Sequence, residues 1–441
     1  MKPLKNTYEP QGDLFKVELS RIVNTSHELV KLSSVVDWER LEELFGETYC
    51  PDNGRPGTST RLMVALHYLK YSFNMSDEGV VDTWVENPYW QYFSGMQFFT
   101  HERPIEPSSM SRWRHRIGES GAEELLKATI ESGLKIKAVK SFQLKRLNVD
   151  TTVQEKDIRF PTDARLYNRA RERLVKVAEE RNISLRQNYN RKGKEHLFMQ
   201  SRYAHAKHMK RARRETKKLR TILGRVIRDI ERKYPNRDKE MTELLEISNR
   251  IYNQQRKDKE KVYSVHAPEV ECISKGKAHK RYEFGCKVSV AATSRGGWFV
   301  GAKALHGSPF DGHTLSEALE QVNRITETPE HVFVDMGYKG NGYTGEANIH
   351  IDRRRRGGIA RSLWKWMKRR AAVEPGIGHL KKEHRMDRNR LKGKEGDRFN
   401  AILSAAGMNF HKLLKHAAAF WRKLFLLPKD CFFLPFVTLG T

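Results

Sequence analysis

The 441 residues carry 82 Lys and Arg against 54 Asp and Glu, a net charge of +28, and 38% of them are hydrophobic. A chain of this length can bury a sizeable core in two or three domains, and its apolar content excludes a disordered polymer. The charge excludes indifference to polyanions: nucleic acid is the first partner to consider, although an anionic membrane surface or ribosomal RNA would leave the same compositional mark.

From Asp37 to Leu134 apolar residues recur at helical spacing, as in Leu62, Val64, Ala65, Leu66 and Leu69 after the turn-like Gly54-Arg55-Pro56. Ser120-Gly-Ala-Glu123 is a capping-box pattern ahead of Leu125, Leu126, Ile130 and Leu134, with Gly133 as a stop. Arg112, Arg114, His115 and Arg116 beside Trp113 make a basic aromatic helix suited to DNA, whereas Trp84, Tyr89, Trp90 and Tyr92 fit a core better. Residues 1–140 are expected to form an all-helical N-terminal domain.

The period then changes. Leu147, Val149 and Thr151 alternate with Asn148, Asp150 and Thr152 as in a strand, and similar signals recur at Phe284–Val290, Trp298–Ala304, His331–Asp335 and, more weakly, Asn348–Ile351. Thr314-Leu-Ser-Glu317 reads as a capping box opening a helix with Leu315, Ala318, Leu319, Val322 and Ile325 on one face. About five strands with helices between them point to a mixed α/β core. The stretch 163–269 interrupts this core as a helical basic insertion, with Leu219, Ile222, Leu223, Val226 and Ile230 as its apolar stripe; the core itself takes residues 141–162 and 270–441. The basic run Lys207–Arg214 is either a solvated helix face or a phosphate-binding surface.

Cys50, Cys272, Cys286 and Cys431 form no C-x-x-C pair, so neither a zinc site nor a disulfide framework is indicated. The apolar stretch Phe432–Leu439 is short and contains Pro435, so neither a signal peptide nor a spanning helix is expected, and the protein reads as cytoplasmic.

Three acidic residues stand in contexts that suit chemistry. Asp150 lies in an apolar strand, where an unpaired carboxylate would be costly. Asp335 ends the run His331–Val334 and precedes a Gly-containing loop, the place where ligands gather in open α/β sheets. Glu374 would share one helical face with Arg370 and Lys381 at about 100° per residue, although Pro375 and Gly376 suggest a kink or a helix start there. The bland alternatives are an edge-strand Asp150, a turn-forming Asp335 and a Glu374 engaged in surface ion pairs; Glu383 and Glu395 are rivals for the third position. Brought together, three carboxylates could hold two Mg²⁺ ions for phosphodiester cleavage, a reaction that needs an activated hydroxyl and a stabilised leaving oxygen.

The segments Asp150–Asp163, Glu283-Phe-Gly-Cys-Lys287, Asp311-Gly-His-Thr-Leu315, Val334-Asp-Met-Gly-Tyr-Lys339 and Glu374-Pro-Gly-Ile-Gly-His-Leu-Lys381 together resemble the DDE transposases of bacterial insertion sequences, in the branch named insertion sequence five. The N-terminal Gly54-Arg-Pro56, Ser76-Asp-Glu78, Glu86-Asn-Pro-Tyr-Trp90 and Ser108–Arg114 resemble that family's end-binding domain.

The resemblance implies an RNase H-like catalytic core with Asp150, Asp335 and Glu374 as catalytic and metal-binding residues, and Mg²⁺ (two ions, Mn²⁺ substituting) as cofactor. It implies DNA contacts through Arg370 and Lys381, recognition of terminal inverted repeats by the N-terminal domain, hydrolysis exposing a 3′-OH, strand transfer into target DNA, and a homodimer on DNA in a nucleoid-associated setting. Arg112, Arg114 and Arg116 complete the expected DNA contacts. Family members usually carry a tyrosine three residues before the motif arginine, and this chain has Met367, which cannot donate a hydrogen bond to DNA. A DNA-binding protein without catalysis, decayed or domesticated from a transposase, is the alternative reading, and a nuclease that never joins strands is a third.

Overall fold

In the computed structural model the segment that alternates most clearly becomes the middle of the sheet. Leu147, Val149 and Val153 are fully buried in strand β1 (Arg146–Glu155). The other strands are β2 (Glu271–Ile273), β3 (Glu283–Thr293), β4 (Phe299–Leu305), β5 (His331–Val334) and β6 (Asn348–Ile351). They form one sheet in the order β2-β3-β1-β5-β6, with β4 also paired to β3. β3 pairs antiparallel with β1, β2 and β4, whereas β5 pairs parallel with β1 and β6 parallel with β5. The parallel half needs crossovers, and helix Leu315–Ile325 supplies one between β4 and β5.

The structure describes residues 1–3, 16–50, 56–274, 280–353 and 357–425, with side chains to 419. The turn expected at Gly54-Arg55 and the apolar tail Cys431–Thr441 lie outside these residues.

Every described element before β1 is helical. Helix Thr60–Ser72 is buried on nearly all sides, because helix Ser108–Lys135 and the last helix among the described residues, Gly393–Phe425, pack around it. The last helix also lies on β4, so the N-terminal helices and the sheet share one apolar core. Gly407 permits the crossing: a Cβ there would sit 2.3 Å from Tyr71 Cβ. Trp84, Trp90 and Trp113 are core residues, which corrects the placing of Trp113 on a DNA-facing surface.

Helices Asp163–Glu180, Asn190–His205, Met209–Lys233 and Lys239–Asn253 fill the interruption between β1 and β2. They build a second apolar core around Leu219, Leu223, Val226 and Ile230. Lys207, Lys210, Arg211, Arg213 and Arg214 are exposed at the joint between two of these helices.

Neither capping box forms. Ser120 lies inside helix Ser108–Lys135, whose break falls at Gly118, and the Glu123 carboxylate is taken by Gln321 and Arg324. Ahead of Leu315 the chain makes a 3-10 turn, Asp311–Thr314, in which the Thr314 hydroxyl donates to Asp311 O. Among the described residues no helix is long and apolar enough to cross a membrane.

Candidate active site

Strand pairing sets the geometry. Arg146, Leu147 and Asn148 of β1 pair with His331, Val332 and Phe333 of β5, an offset of 185 residues that also separates Asp150 from Asp335. The two aspartates therefore occupy matching positions just past the last paired residues, on strands about 4.8 Å apart. β6 extends the row: its offset of 17 from β5 matches Asp335 to Asp352, whose N–H donates to Val334 O at 2.8 Å. Asp335 is held extended (φ −79°, ψ 179°), and its Oδ1 accepts from Gly337 N at 2.8 Å.

Glu374 reaches this row through Arg370. The expected continuous helix is instead helix Arg361–Arg369, a tight turn Arg370–Ala372 and helix Val373–Glu383, with Pro375 in its first turn, where a missing N–H costs little. The Arg370 side chain is 13% exposed and places its guanidinium 3.7 Å from Asp150, 3.7 Å from Asp352 and 3.6 Å from Glu374. Glu374 itself is 62% exposed, at the rim. Lys381 lies further along the same helix as Glu374, in the last turn of Val373–Glu383. The rivals are engaged elsewhere: Glu383 pairs with His379 at 2.6 Å and Glu395 with His115 at 3.1 Å.

The three carboxylates are not packed as tightly as bound ligands would be. The described group of potential metal ligands whose atoms lie within 4.8 Å of one another is Cys286, His306 and Asp397.

Asp311, from the Asp-Gly-His-Thr motif, lies on the flank of the site. Its Oδ1 accepts from Thr151 Oγ1 at 2.8 Å and Lys287 Nζ at 3.0 Å, and its Oδ2 would be 3.4 Å from a Cβ on Gly337. Tyr338 is buried here; burial first, and then Asp150 and Asp311, push its phenol far above the usual range, so it stays protonated. Lys287 and Asp311 appear in the motifs above but had no assigned role, because their meeting depends on β3 lying beside β1.

A second feature escaped the sequence. The rings of Trp366 and the guanidinium groups of Arg146, Arg295 and Arg369 come within 5.2, 5.3 and 6.0 Å. Arg295, Trp366 and Arg369, together with Arg361, Ser362 and Lys365, line an open cleft of about 810 Å³. The alternation of Trp364 and Trp366 with basic residues was the available signal. Met367, on the same helix, turns inward and is buried.

The three N-terminal arginines separate. Arg112 is exposed, hydrogen-bonded to Ser109 at 3.0 Å. Arg116 is exposed and stacks over Tyr49 at 4.2 Å. Arg114 is a correction: it is 2% exposed and makes a two-pronged pair with Asp77 at 3.0 and 2.7 Å, beside Lys70, so it is structural rather than a DNA contact. Burial works against the Asp77 carboxylate, yet Lys70 and Arg114 outweigh it and hold its pKa below the ordinary range.

A family model described as a transposase domain matches residues 17–116, and one described as a transposase DDE domain matches residues 346–414. The second span contains Asp352, Arg370, Glu374 and Lys381. A protein of Rhizobium meliloti, described as an uncharacterized protein, ORF8 in the nfe locus, is 51% identical over 197 residues, which is 45% of this chain and 95% of that protein. No solved structure matches the chain.

Proposed function

From a chain that belongs to the DDE transposases of insertion sequences, we propose an enzyme that binds the terminal inverted repeats of its element, cuts at their ends and joins the freed 3′-OH to target DNA. The observation that carries this reading is the shared register of Asp150 and Asp335, with Arg370 linking Asp150 to Glu374. The sheet order, with β1, β2, β3 and β4 joined by antiparallel pairing and β5 and β6 continuing from β1 in parallel, supports an RNase H-like core.

The donors at this site are carboxylate oxygens, which suit a hard cation. Asp150, Asp335 and Glu374 would hold Mg²⁺, with Mn²⁺ able to substitute. When bound, a pair of such ions supplies an activated water or 3′-hydroxyl and stabilises the departing oxygen. Arg370 balances the carboxylates in the meantime, and Glu374 at the rim can swing inward as Arg370 turns to a DNA phosphate. Lys381 and the Trp366 cleft offer cations and a ring face to a DNA strand. Arg112 and Arg116 lie on the N-terminal helices that would contact the repeat. Two ends must meet for joining, so the working form would be a homodimer on DNA.

The test is nicking of a duplex carrying the repeat, with Mg²⁺, followed by assay for a joined product. Asp335→Ala should keep binding and lose nicking by at least about 10³-fold, since several kcal/mol of charge stabilisation is removed. No nicking by the unaltered chain with either metal would favour a decayed DNA-binding copy; nicking without a joined product would favour a nuclease.

A further inference from the structure

Against the sheet, toward the end of β1 and β3 away from the catalytic row, lies a polar cluster that the transposition chemistry does not use. Cys286 of β3 is fully buried, and its Sγ, a ring nitrogen of His306 and a carboxylate oxygen of Asp397 lie within 4.8 Å of one another. His306 follows β4, and Asp397 is in the first turns of helix Gly393–Phe425. Cys286 pairs with Gln154, four residues along β1 from Asp150, so the cluster lies about 13 Å from the catalytic row.

Two observations show that the cluster is incomplete as it stands. Both ring nitrogens of His306 are buried without a hydrogen-bond partner, and so is Glu271 Oε2. The charges do not balance either: Lys156 bridges Asp397 at 2.7 Å and Glu269 at 2.8 Å, while Glu271 adds a third carboxylate 3.6 Å from His306 Nδ1. Orphaned polar atoms and a surplus of buried negative charge are each costly. One divalent cation would remove both defects.

We propose that Cys286, His306 and Asp397 form a structural metal site for Zn²⁺. A thiolate, an imidazole and a carboxylate form a borderline-soft donor set that fits Zn²⁺ and not the all-oxygen preference of Mg²⁺. His306 Nε2 faces Asp397 Oδ2 at 3.9 Å, the side on which the ion would sit, leaving Nδ1–H for Glu271. That is the carboxylate–histidine–metal arrangement in which the outer carboxylate fixes the ring. Asp397 Oδ1 is held by Lys156 and Asn389, so Oδ2 is the oxygen aimed at the ion. Ligand atoms about 3.5 Å apart, as metal bonds of roughly 2.0–2.3 Å require, need only a small contraction of the present cluster. The site would pin the start of the last helix to β3 and β4.

The experiment is metal retention by the full-length protein. After loading with Zn²⁺ and dialysis against Mg²⁺ buffer, about one Zn²⁺ per chain should remain, and Co²⁺ loading should give a thiolate-to-metal absorption band. Cys286→Ser should abolish the band, Cys272→Ser should not, and Asp335→Ala should keep both metal and band. Glu271→Gln leaves all three ligands in place and should weaken Zn²⁺ binding by roughly 10–100-fold. The proposal is overturned if the unaltered chain retains no Zn²⁺, if folded His306→Gln retains as much as the unaltered chain, or if Asp335→Ala removes the metal.

Discussion

Arg112 and Arg114 stand two positions apart in one basic run, yet a helix turns them to opposite fates, one to solvent and one into a pair with Asp77. Arg114→Ala removes two charge-assisted hydrogen bonds from Asp77 while Lys70 stays paired with it at 2.8 Å, so a loss of about 1.5–3 kcal/mol is expected in urea unfolding. Arg112→Ala should leave stability unchanged while lowering affinity for repeat DNA and reducing its salt slope by about one. His67 sits against the same pair: burial first and Arg114 next lower its pKa to about 3, and its Nδ1–H donates to Met63 O at 2.7 Å. The unfolded chain would protonate His67 near pH 6.5 while the folded one does not, so the unfolded state binds more protons between about 3 and 6.5. Stability should therefore fall as pH drops through that window, by up to roughly 1.4 kcal/mol per pH unit from this residue, and His67→Gln should flatten the curve. The matching positions of Asp150 and Asp335 were legible because the first sits within an apolar strand and the second ends an apolar run. Arg114 and His306 were not, since nothing local reveals which cation or imidazole a fold will bury.

At the scale of elements, the strands with sustained alternation and the striped insertion helices were readable, whereas β2, three residues long, carries too little pattern to be seen. The Ser120 box misled because Glu123 finds better partners in a distant helix, and the Thr314 box because its hydroxyl turns back to Asp311 O within a 3-10 turn. Gly118 marks the break that the Ser120 pattern only approximated: its φ of 67° and ψ of −174° lie in a region essentially reserved for glycine. A Cβ there would meet no atom within 4 Å, so Gly118→Ala isolates backbone strain. The expected cost is about 1–3 kcal/mol, read from the shift in the urea midpoint at unchanged m-value.

Over the whole molecule, the net charge of +28 is legible at once, but its concentration into a cleft about Trp366 depends on strands and helices far apart in sequence. Affinity for repeat DNA should fall linearly in log–log against salt, with a slope of roughly −0.9 per phosphate neutralised; a slope near zero would contradict the assigned DNA surface. The closing helix, Gly393–Phe425, has a further consequence during synthesis. Helices Thr60–Ser72 and Ser108–Lys135 leave the ribosome long before the segment that covers them, so the nascent chain carries Tyr68, Tyr71 and their apolar neighbours uncovered through most of translation. Messages cut short before codon 393 should yield chains that depend on chaperones and aggregate, making the last helix a checkpoint on which copies reach a working fold.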